Sequence, residues 1–216
     1  MKIIKPSVSL ITKTSGIDML KDIEEVARTC YKTEDKITDE SYLNFVQMLL
    51  NRNHEAMIEF GYLMMRFVCD RGVTHEIVRH RLFSFAQEST RYCDYSKGKF
   101  GNELTFIDPC YWNQKSNEFN VLISQKYGIW EEQMKSAEQS YLRLIEVGAK
   151  AQEARAVLPN SLKTEIVVMG NFREWRHFFE LRTAPTAHPQ MQEVAKVALE
   201  LARKHVPLIF DNTGEI

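Results

Sequence analysis

Apolar residues recur every three or four positions along most of the chain, which is the spacing of one face of an α-helix. This spacing predicts helices over 18–30, 73–81, 129–156, 161–169, 172–181 and 190–205, and another that opens at Thr38 and Asp39. The helix over 129–156 is the longest, and Pro159 follows its end. The second half of the chain is therefore predicted to be mostly helical.

Shorter stretches without that spacing supply the strands. β-Branched and apolar residues predict strands over 8–11, 60–69 and 104–107. Residues 84–102 are rich in Ser, Thr, Asp, Gly and Tyr and predict a loop. Because no repeat, low-complexity tract or linker divides the sequence, we expect a single α+β domain over 1–216, rich in helix and with a small sheet.

Composition argues against several classes of protein. The 216 residues hold 28 Lys and Arg against 29 Asp and Glu, a balance that argues against a strongly basic protein that binds a nucleic acid polymer. No segment approaches the ~18 consecutive apolar residues of a membrane helix, and the first residues lack the apolar stretch of a signal peptide. The four cysteines form no Cys-x-x-Cys pair, so we expect free thiols in the cytoplasm.

The two kinds of cation are unevenly distributed along the chain. Residues 37–96 contain no lysine but six arginines, and residues 164–195 contain no lysine but three, Arg173, Arg176 and Arg182. A guanidinium binds phosphate through two parallel hydrogen bonds and stacks on aromatic rings, whereas an ammonium is a point charge. The arginines therefore predict a pocket for one anionic ligand rather than a polymer.

The strongest concentration of these cations is the segment Arg79-His80-Arg81. Three adjacent cationic side chains repel one another, so an anionic or aromatic partner is expected. The hydroxyls and loop amides near Ser89 and Thr90 would suit such an anion. The alternative is a solvated basic helix end paired with acidic residues, namely Asp70, Glu76 and Glu88. Between two guanidinium groups the imidazole is expected to be neutral.

Two other kinds of site are disfavoured here. His75 and His80 are five residues apart, about 140° around a helix, whereas the zinc motif His-Glu-x-x-His needs a spacing of four, so no metal is predicted. Cys110 has no histidine or lysine close in sequence to activate it, which favours a buried structural thiol over a catalytic one. Ser89 likewise has no base near it in sequence, which favours a binding role.

Arg79-His80-Arg81, seven residues, Ser89 and Arg91 together form a pattern that resembles the signature of the flavin-dependent thymidylate synthases. Other blocks resemble the same family, namely 171–182, 154–159 and His54-Glu55 with Glu59. The classical thymidylate synthases differ, because they use a Pro-Cys-His nucleophile and Cys110 is followed by a tyrosine.

The resemblance implies a helix-rich α+β fold with a small, mainly antiparallel sheet. It also implies reductive methylation of dUMP to dTMP, with 5,10-methylenetetrahydrofolate as carbon donor and NADPH as reductant through FAD. The family forms homotetramers whose active sites lie between subunits, and no membrane or nucleic acid polymer takes part.

The resemblance also implies roles for individual residues. FAD contacts are expected from His54, Ala56, Arg79, His80, Arg81, Asn171, Arg173 and His177. Contacts to dUMP are expected from Glu76, Arg79, Gln87, Glu88, Ser89, Arg91, Arg155 and Arg182, with Arg91 and the loop amides on the phosphate. Arg182 is the expected catalytic residue, which polarises the uracil ring.

The sequence departs from the commonest family pattern at a few of these positions. Glu76 and Gln87 stand where some relatives carry Gln and Glu, and His177 stands where some carry Asn. Ala56 replaces a hydroxyl residue and removes one side-chain hydrogen bond to the cofactor.

Two other functions fit the residues. An arginine-rich phosphate- or RNA-binding module would bind polymers with steep salt dependence. A flavin hydroxylase or reductase that acts on another nucleotide is the nearer alternative among enzymes.

Overall fold

The computed structural model describes residues 1–112 and 121–214 and has the predicted α+β composition. The helices are α1 Gly16–Tyr31, α2 Ser41–Asn51, α3 Arg71–Ile77, α4 Val121–Glu146, α5 Ala151–Ala154, α6 Phe172–Thr183, α7 Pro189–His205 and α8 Pro207–Phe210. The strands are β1 Lys2–Ile4, β2 Ser7–Leu10, β3 Tyr62–Asp70, β4 Ser84–Gln87, β5 Thr105–Ile107 and β6 Lys163–Asn171. The sheet content is small and mainly antiparallel, with strand order β2-β3-β6-β4, apart from the parallel pair β1-β5.

The chain divides into two compact units. The first comprises Met1–Ser7, Val68–Ile77 and Ala86–Ile166, and the second comprises Val8–Phe67, Val78–Phe85 and Val167–Ile216. The boundaries between these ranges fall within strands or directly after α3. The expectation of one domain over 1–216 stays a prediction.

The core of the first unit is built on one face of α4. Trp130, Met134 and Tyr141 are buried at helical spacing, with Phe106 and Leu162 in the same cluster. The polar ends of two of these rings are satisfied, because the Trp130 indole donates to the Ser161 hydroxyl at 3.1 Å and the Tyr141 hydroxyl accepts from the Tyr95 amide at 3.3 Å. This helix was predicted over 129–156. It begins earlier and ends at Glu146, because Gly148 takes a left-handed conformation with φ 95°.

The core of the second unit is built on the aromatic face of α6. Phe172, Trp175, Phe178 and Phe179 are fully buried, at the three- and four-residue spacing that predicts this helix. The Trp175 indole donates to the Leu63 carbonyl at 3.0 Å, which ties the helix to β3. The predictions of helices over 172–181 and 190–205 and of strands over 8–11, 60–69 and 104–107 are confirmed within a few residues.

Two predicted elements are wrong. The segment 161–169, predicted as helix, is strand β6, because Thr164, Ile166, Val168 and Gly170 are buried in strict alternation with more exposed neighbours. The predicted loop over 84–102 begins with strand β4.

The helix predicted over 73–81 also ends early, at Ile77. The Arg79–Arg81 segment therefore lies outside a helix.

All four cysteines are free thiols. Cys69 is buried, whereas Cys110 is half-buried and so is not the buried structural cysteine that was predicted. In the described residues, no helix has both the length and the apolar character to span a membrane.

Candidate active site

The segment Arg79–Arg81 links α3 to β4 and alternates in exposure. His80 is 5% exposed, while Arg79 and Arg81 are exposed on either side of it. Its carbonyl accepts from the Phe83 amide at 3.1 Å, which forms the turn into β4. Within residues 1–112 and 121–214, neither arginine forms an ion pair or a hydrogen bond. In the alternative of a solvated basic helix end, the pairing of Arg79 and Arg81 with Asp70, Glu76 and Glu88 and the helix are therefore wrong, whereas both guanidinium groups are exposed to solvent and available to a ligand.

His80 lies between two charged side chains of α6. Arg182 donates from Nε to His80 Nε2 at 3.0 Å, and His80 Nδ1 lies 3.3 Å from Glu174 Oε1. An arginine has no acceptor, so Nε2 must accept and the proton of a neutral ring must sit on Nδ1. The result is a hydrogen-bonded chain, Glu174–His80–Arg182.

Burial, together with the neighbouring Arg182 and His177, lowers the pKa of His80 to about 4. The predicted neutral ring is therefore confirmed, but its cause differs from the one predicted. The cation that acts on the ring is Arg182 rather than Arg79 or Arg81. Because the ring is neutral, its contact with Glu174 is a hydrogen bond and not an ion pair.

The His80 ring is held by aromatic neighbours. The centroid of Phe178 lies 5.0 Å away and that of Phe83 lies 5.8 Å away. Phe83 occupies space that only glycine leaves open, since a Cβ at Gly170 would lie 2.1 Å from its ring. Gly170 on β6 therefore helps to fix the position of His80.

The amino terminus of α6 carries most of the residues expected to contact FAD. Asn171 caps the helix, because its Oδ1 accepts from the Glu174 amide at 2.9 Å. Arg173 is exposed and donates to Glu59 at 2.7 Å, and this hydrogen bond raises the pKa of Arg173. His177 is exposed one turn further on. The early residues His54 and Ala56 are also exposed, and His54 Nδ1 lies 3.1 Å from the Tyr31 hydroxyl.

Two clefts of the second unit bring these side chains together. One has a volume of ≈ 630 Å³ and is lined by residues that include Asn171, Arg173 and His177. The other, of ≈ 340 Å³, is lined by Arg79, His80, Arg81, Leu82, Glu174, His177, Leu181 and Arg182. The clefts share Leu82, Glu174 and His177, so the expected catalytic arginine and the expected flavin contacts border one another.

The residues expected to bind dUMP cluster in the first unit, apart from Arg79 and Arg182. The Ser89 hydroxyl accepts from the Arg91 amide at 3.3 Å, and the Ser89 carbonyl accepts from the Cys93 amide at 2.9 Å, which together define a tight turn. Arg91 is exposed at this turn, and Arg155 Nη1 lies 3.5 Å from Thr90 Oγ1. Two arginines and a turn rich in amides thus lie together, as an anion site requires.

Two side chains next to this turn are held by residues that sequence reasoning missed. Gln87 donates from Nε2 to Thr74 at 3.0 Å and to Thr164 at 3.4 Å, and both threonines are fully buried. Glu88 accepts from the Tyr95 hydroxyl at 2.8 Å and from Lys163 at 2.9 Å.

These contacts make Glu88 a support of the turn. Glu76, the remaining member of the dUMP set, is half-buried on α3. Among the described residues, no group of three His, Cys, Asp or Glu could hold a metal ion.

Glu174 is the most informative residue that sequence reasoning missed. Its signal was its position three residues after the cap Asn171, which places a carboxylate on the first turn of α6. The sequence could not show that this carboxylate faces His80.

Comparisons with known proteins agree with this arrangement. Residues 9–208 match the family described as thymidylate synthase complementing protein. The chain is 31% identical over 211 residues to a flavin-dependent thymidylate synthase of Corynebacterium efficiens, which covers 94% of this chain and 82% of that protein. A flavin-dependent thymidylate synthase of Geobacter sulfurreducens is 28% identical over 196 residues, which covers 87% of this chain and 79% of that protein.

A similar fold occurs in the crystal structure of the UMP/dUMP methylase PolB from Streptomyces cacaoi bound with 5-Br dUMP. The TM-score is 0.76 at 22% identity, over 98% of this chain and 96% of that one. Because residues 9–208 match this family and a relative is 31% identical over 94% of the chain, the chain belongs to the flavin-dependent thymidylate synthases.

Proposed function

We propose that the chain converts dUMP to dTMP by reductive methylation, with 5,10-methylenetetrahydrofolate as the carbon donor and NADPH as the reductant through FAD. The observation that carries the proposal is the Glu174–His80–Arg182 chain beside two arginines without protein partners among the described residues. No covalent nucleophile is needed. The Ser89 hydroxyl is engaged with the Arg91 amide, and no base contacts it among the described residues.

The second unit offers residues that fit FAD. Arg79 and Arg81 are exposed guanidinium groups that suit a diphosphate, and His177 and Asn171 line the neighbouring cleft. Arg173 would have to exchange its hydrogen bond with Glu59 to bind the cofactor. His54 and Ala56 would supply the remaining contacts. Since both nitrogens of His80 are used within the protein, we assign His80 to the flavin site through its position between Arg79 and Arg81.

The first unit offers residues that fit dUMP. Arg91 and the amides of the Ser89 turn would bind the phosphate, and Arg155 would add a second guanidinium. Gln87 would present its amide oxygen, because both buried threonines take up its amide nitrogen. Glu88 would hold the turn through Tyr95 and Lys163, and Glu76 would complete the set.

Arg182 would perform the electrostatic work of the reaction. Uracil C5 is a poor nucleophile, and its electron density rises if negative charge that develops at N3 and O2 is stabilised by a fixed cation. Arg182 stays protonated and is held at Nε by His80, so it is oriented before the substrate binds. When bound, the flavin supplies the hydride. The residues of the chain supply position, charge and exclusion of water.

We further propose a cytoplasmic homotetramer with active sites between subunits. Large apolar side chains are exposed next to both candidate clusters, with Leu82 at 75% and Tyr92 at 77%. In an assembly, contact with another subunit would cover these apolar side chains. Free thiols at all four cysteines suit a reducing compartment.

The function is tested with Arg182→Ala. We expect this variant to keep the flavin absorption spectrum but to form dTMP at least about 10²-fold more slowly, the usual loss when one preorganised donor is removed. Turnover at the wild-type rate would contradict the role of Arg182.

Wild-type protein should be yellow, and with oxygen excluded its reduced flavin should be reoxidised only when dUMP and the folate are both present. A colourless protein that binds RNA would contradict the enzyme assignment. Reoxidation without dUMP would favour another flavin enzyme.

A further inference from the structure

Glu174 is a buried acidic residue to which the family resemblance assigns no role. It is 7% exposed on the first turn of α6, and its amide donates to the cap residue Asn171. Burial raises the pKa of its carboxyl above the ordinary value. Burial of a carboxylate costs free energy, so a partner that hydrogen-bonds to it is expected at this position.

The partner of Glu174 is His80, and the partner of His80 is Arg182. The Arg182 Nε–H can only donate, and it lies 3.0 Å from His80 Nε2. That contact needs the ring proton on Nδ1, where Glu174 Oε1, 3.3 Å away, is the acceptor that the described residues supply. A carboxylate that accepts from one ring nitrogen fixes which tautomer is present.

The packing around His80 prevents the ring from compensating by rotation. Phe178, His177 and Phe83 place their ring centroids at 5.0, 5.7 and 5.8 Å from it. Phe83 is itself fixed against Gly170. If the acceptor at Nδ1 is lost, the Nδ1–H tautomer keeps only its contact with Arg182 and leaves a buried N–H unsatisfied, so the Nε2–H tautomer becomes more populated. Two N–H groups would then face each other between His80 and Arg182, and the guanidinium would move.

We propose that Glu174 is a positioning residue that holds Arg182 in its reactive orientation by fixing the tautomer of His80. This inference rests on the proposed catalytic role of Arg182. Glu174 borders both clefts, but its Oε1 is engaged with His80, so in this scheme it acts through His80 and affects the rate of the chemical step more than binding.

The test compares Glu174→Ala, which removes the acceptor, with Glu174→Gln, whose amide oxygen can still accept from Nδ1. Glu200→Ala, an exposed glutamate on α7, is the matched control. We expect Glu174→Ala to lower kcat roughly tenfold to hundredfold, as for other residues that orient a functional group through a histidine. The flavin content should stay unchanged, and any rise in the KM for dUMP should be smaller than the fall in kcat, because Arg182 is also an expected dUMP contact. Glu174→Gln should restore most of kcat, and Glu200→Ala should match the wild type.

A second measurement needs no ligand, and its wild-type arm needs no variant. In protein with ¹⁵N-labelled histidine, the ring nitrogen shifts of His80 should show the Nδ1–H tautomer in the wild type and in Glu174→Gln. The Nε2–H form should appear in Glu174→Ala. A wild-type His80 with its proton on Nε2 would overturn the proposal even if Glu174→Ala failed to fold.

The outcomes separate this inference from the proposed function. A wild-type protein that makes no dTMP would contradict the proposed function, and the ring nitrogen shifts of His80 would then test the tautomer by themselves. An active wild type with an inactive Arg182→Ala and a fully active Glu174→Ala would contradict the positioning role alone. Loss of flavin together with activity in Glu174→Ala, without rescue by Glu174→Gln, would show a merely structural role and also overturn it.

Discussion

Arg79 and Arg81 face solvent while His80 between them is buried, and this alternation gives each side chain a different task. The outer guanidinium groups lack protein partners among the described residues, and the imidazole is fully engaged inside the protein. The sequence predicts the cations and the neutral ring from their adjacency. It could not identify Glu174 and Arg182 as the partners of His80, because both lie about a hundred residues away and reach His80 only through the packing of α6.

The low pKa of His80 makes stability depend on pH. Between pH 6.5 and about 4, an unfolded histidine binds a proton that the folded His80 does not, so the free energy of unfolding falls as the pH falls. The loss is at most about 3 kcal/mol and stops below about pH 4, where both states are protonated. Glu174, whose pKa is raised, contributes with the opposite sign, and Arg182 and His177 also face the ring.

Urea unfolding across this pH range measures the effect in the wild type and in His80→Gln. The wild type should lose more stability than the variant as the pH falls from 6.5 to 4. Parallel curves would contradict the burial of a neutral His80.

A substitution at Arg91 tests whether dUMP binding needs a guanidinium rather than an ammonium group. Arg91→Lys keeps the charge but loses the planar pair of donors, so we expect dUMP affinity to fall about tenfold while FAD affinity is unchanged. Calorimetric titration with each ligand measures the two effects. An equal loss for both ligands would show that Arg91 does not act on the phosphate alone.

At the scale of elements, β6 shows where pattern reading fails. The segment 161–169 contains enough apolar residues to fit a helical spacing, but the β-branched Thr164, Ile166 and Val168 point to one buried face. Helix α6 directly after it was predicted well, because its aromatic face follows helical spacing over about two turns. Short apolar runs fit both periods, and the packing of Phe83 on Gly170, which the sequence does not reveal, requires the strand.

Alanine substitutions at two glycines test this packing, because one glycine lies against Phe83 and the other has open space around it. Gly170→Ala places a Cβ 2.1 Å from the Phe83 ring and should destabilise the protein by about 1–3 kcal/mol, the cost of overpacking. It should also lower activity, because Phe83 packs against His80. Gly128→Ala on α4 meets nothing within 4 Å and should stabilise the protein by about 1 kcal/mol. Thermal unfolding of both variants measures the difference, and a neutral Gly170→Ala would show that Phe83 can move freely.

At the scale of the whole molecule, the candidate residues sort by compact unit. All the residues expected to bind FAD lie in the second unit, and those expected to bind dUMP lie in the first, apart from Arg79 and Arg182. A net charge of −1 conceals this arrangement, because acidic residues elsewhere cancel the arginines. The sequence shows that lysine is absent from both arginine-rich stretches. It does not show that the FAD residues and the dUMP residues lie in different units, because each unit is assembled from three separate ranges.

Active sites shared between subunits would allow two inactive variants to complement each other. Arg91→Ala, Arg155→Ala and Arg182→Ala each remove one arginine expected at the site. If a site draws arginines from different subunits, a mixed assembly of two variants contains sites in which each subunit contributes an arginine that it has kept. Random mixing of equal amounts leaves about a quarter of such sites complete.

Co-expression of the variants in pairs with different tags, followed by tandem purification, measures the recovered dTMP formation. At least one of the three pairings should recover about a quarter of the wild-type activity, from an assembly with a mass near four times 25.2 kDa by light scattering. Each variant alone serves as the control. Failure of all three pairings in such an assembly would mean that the three arginines of each site come from one chain, because only then does no mixed subunit pair restore a complete set of them.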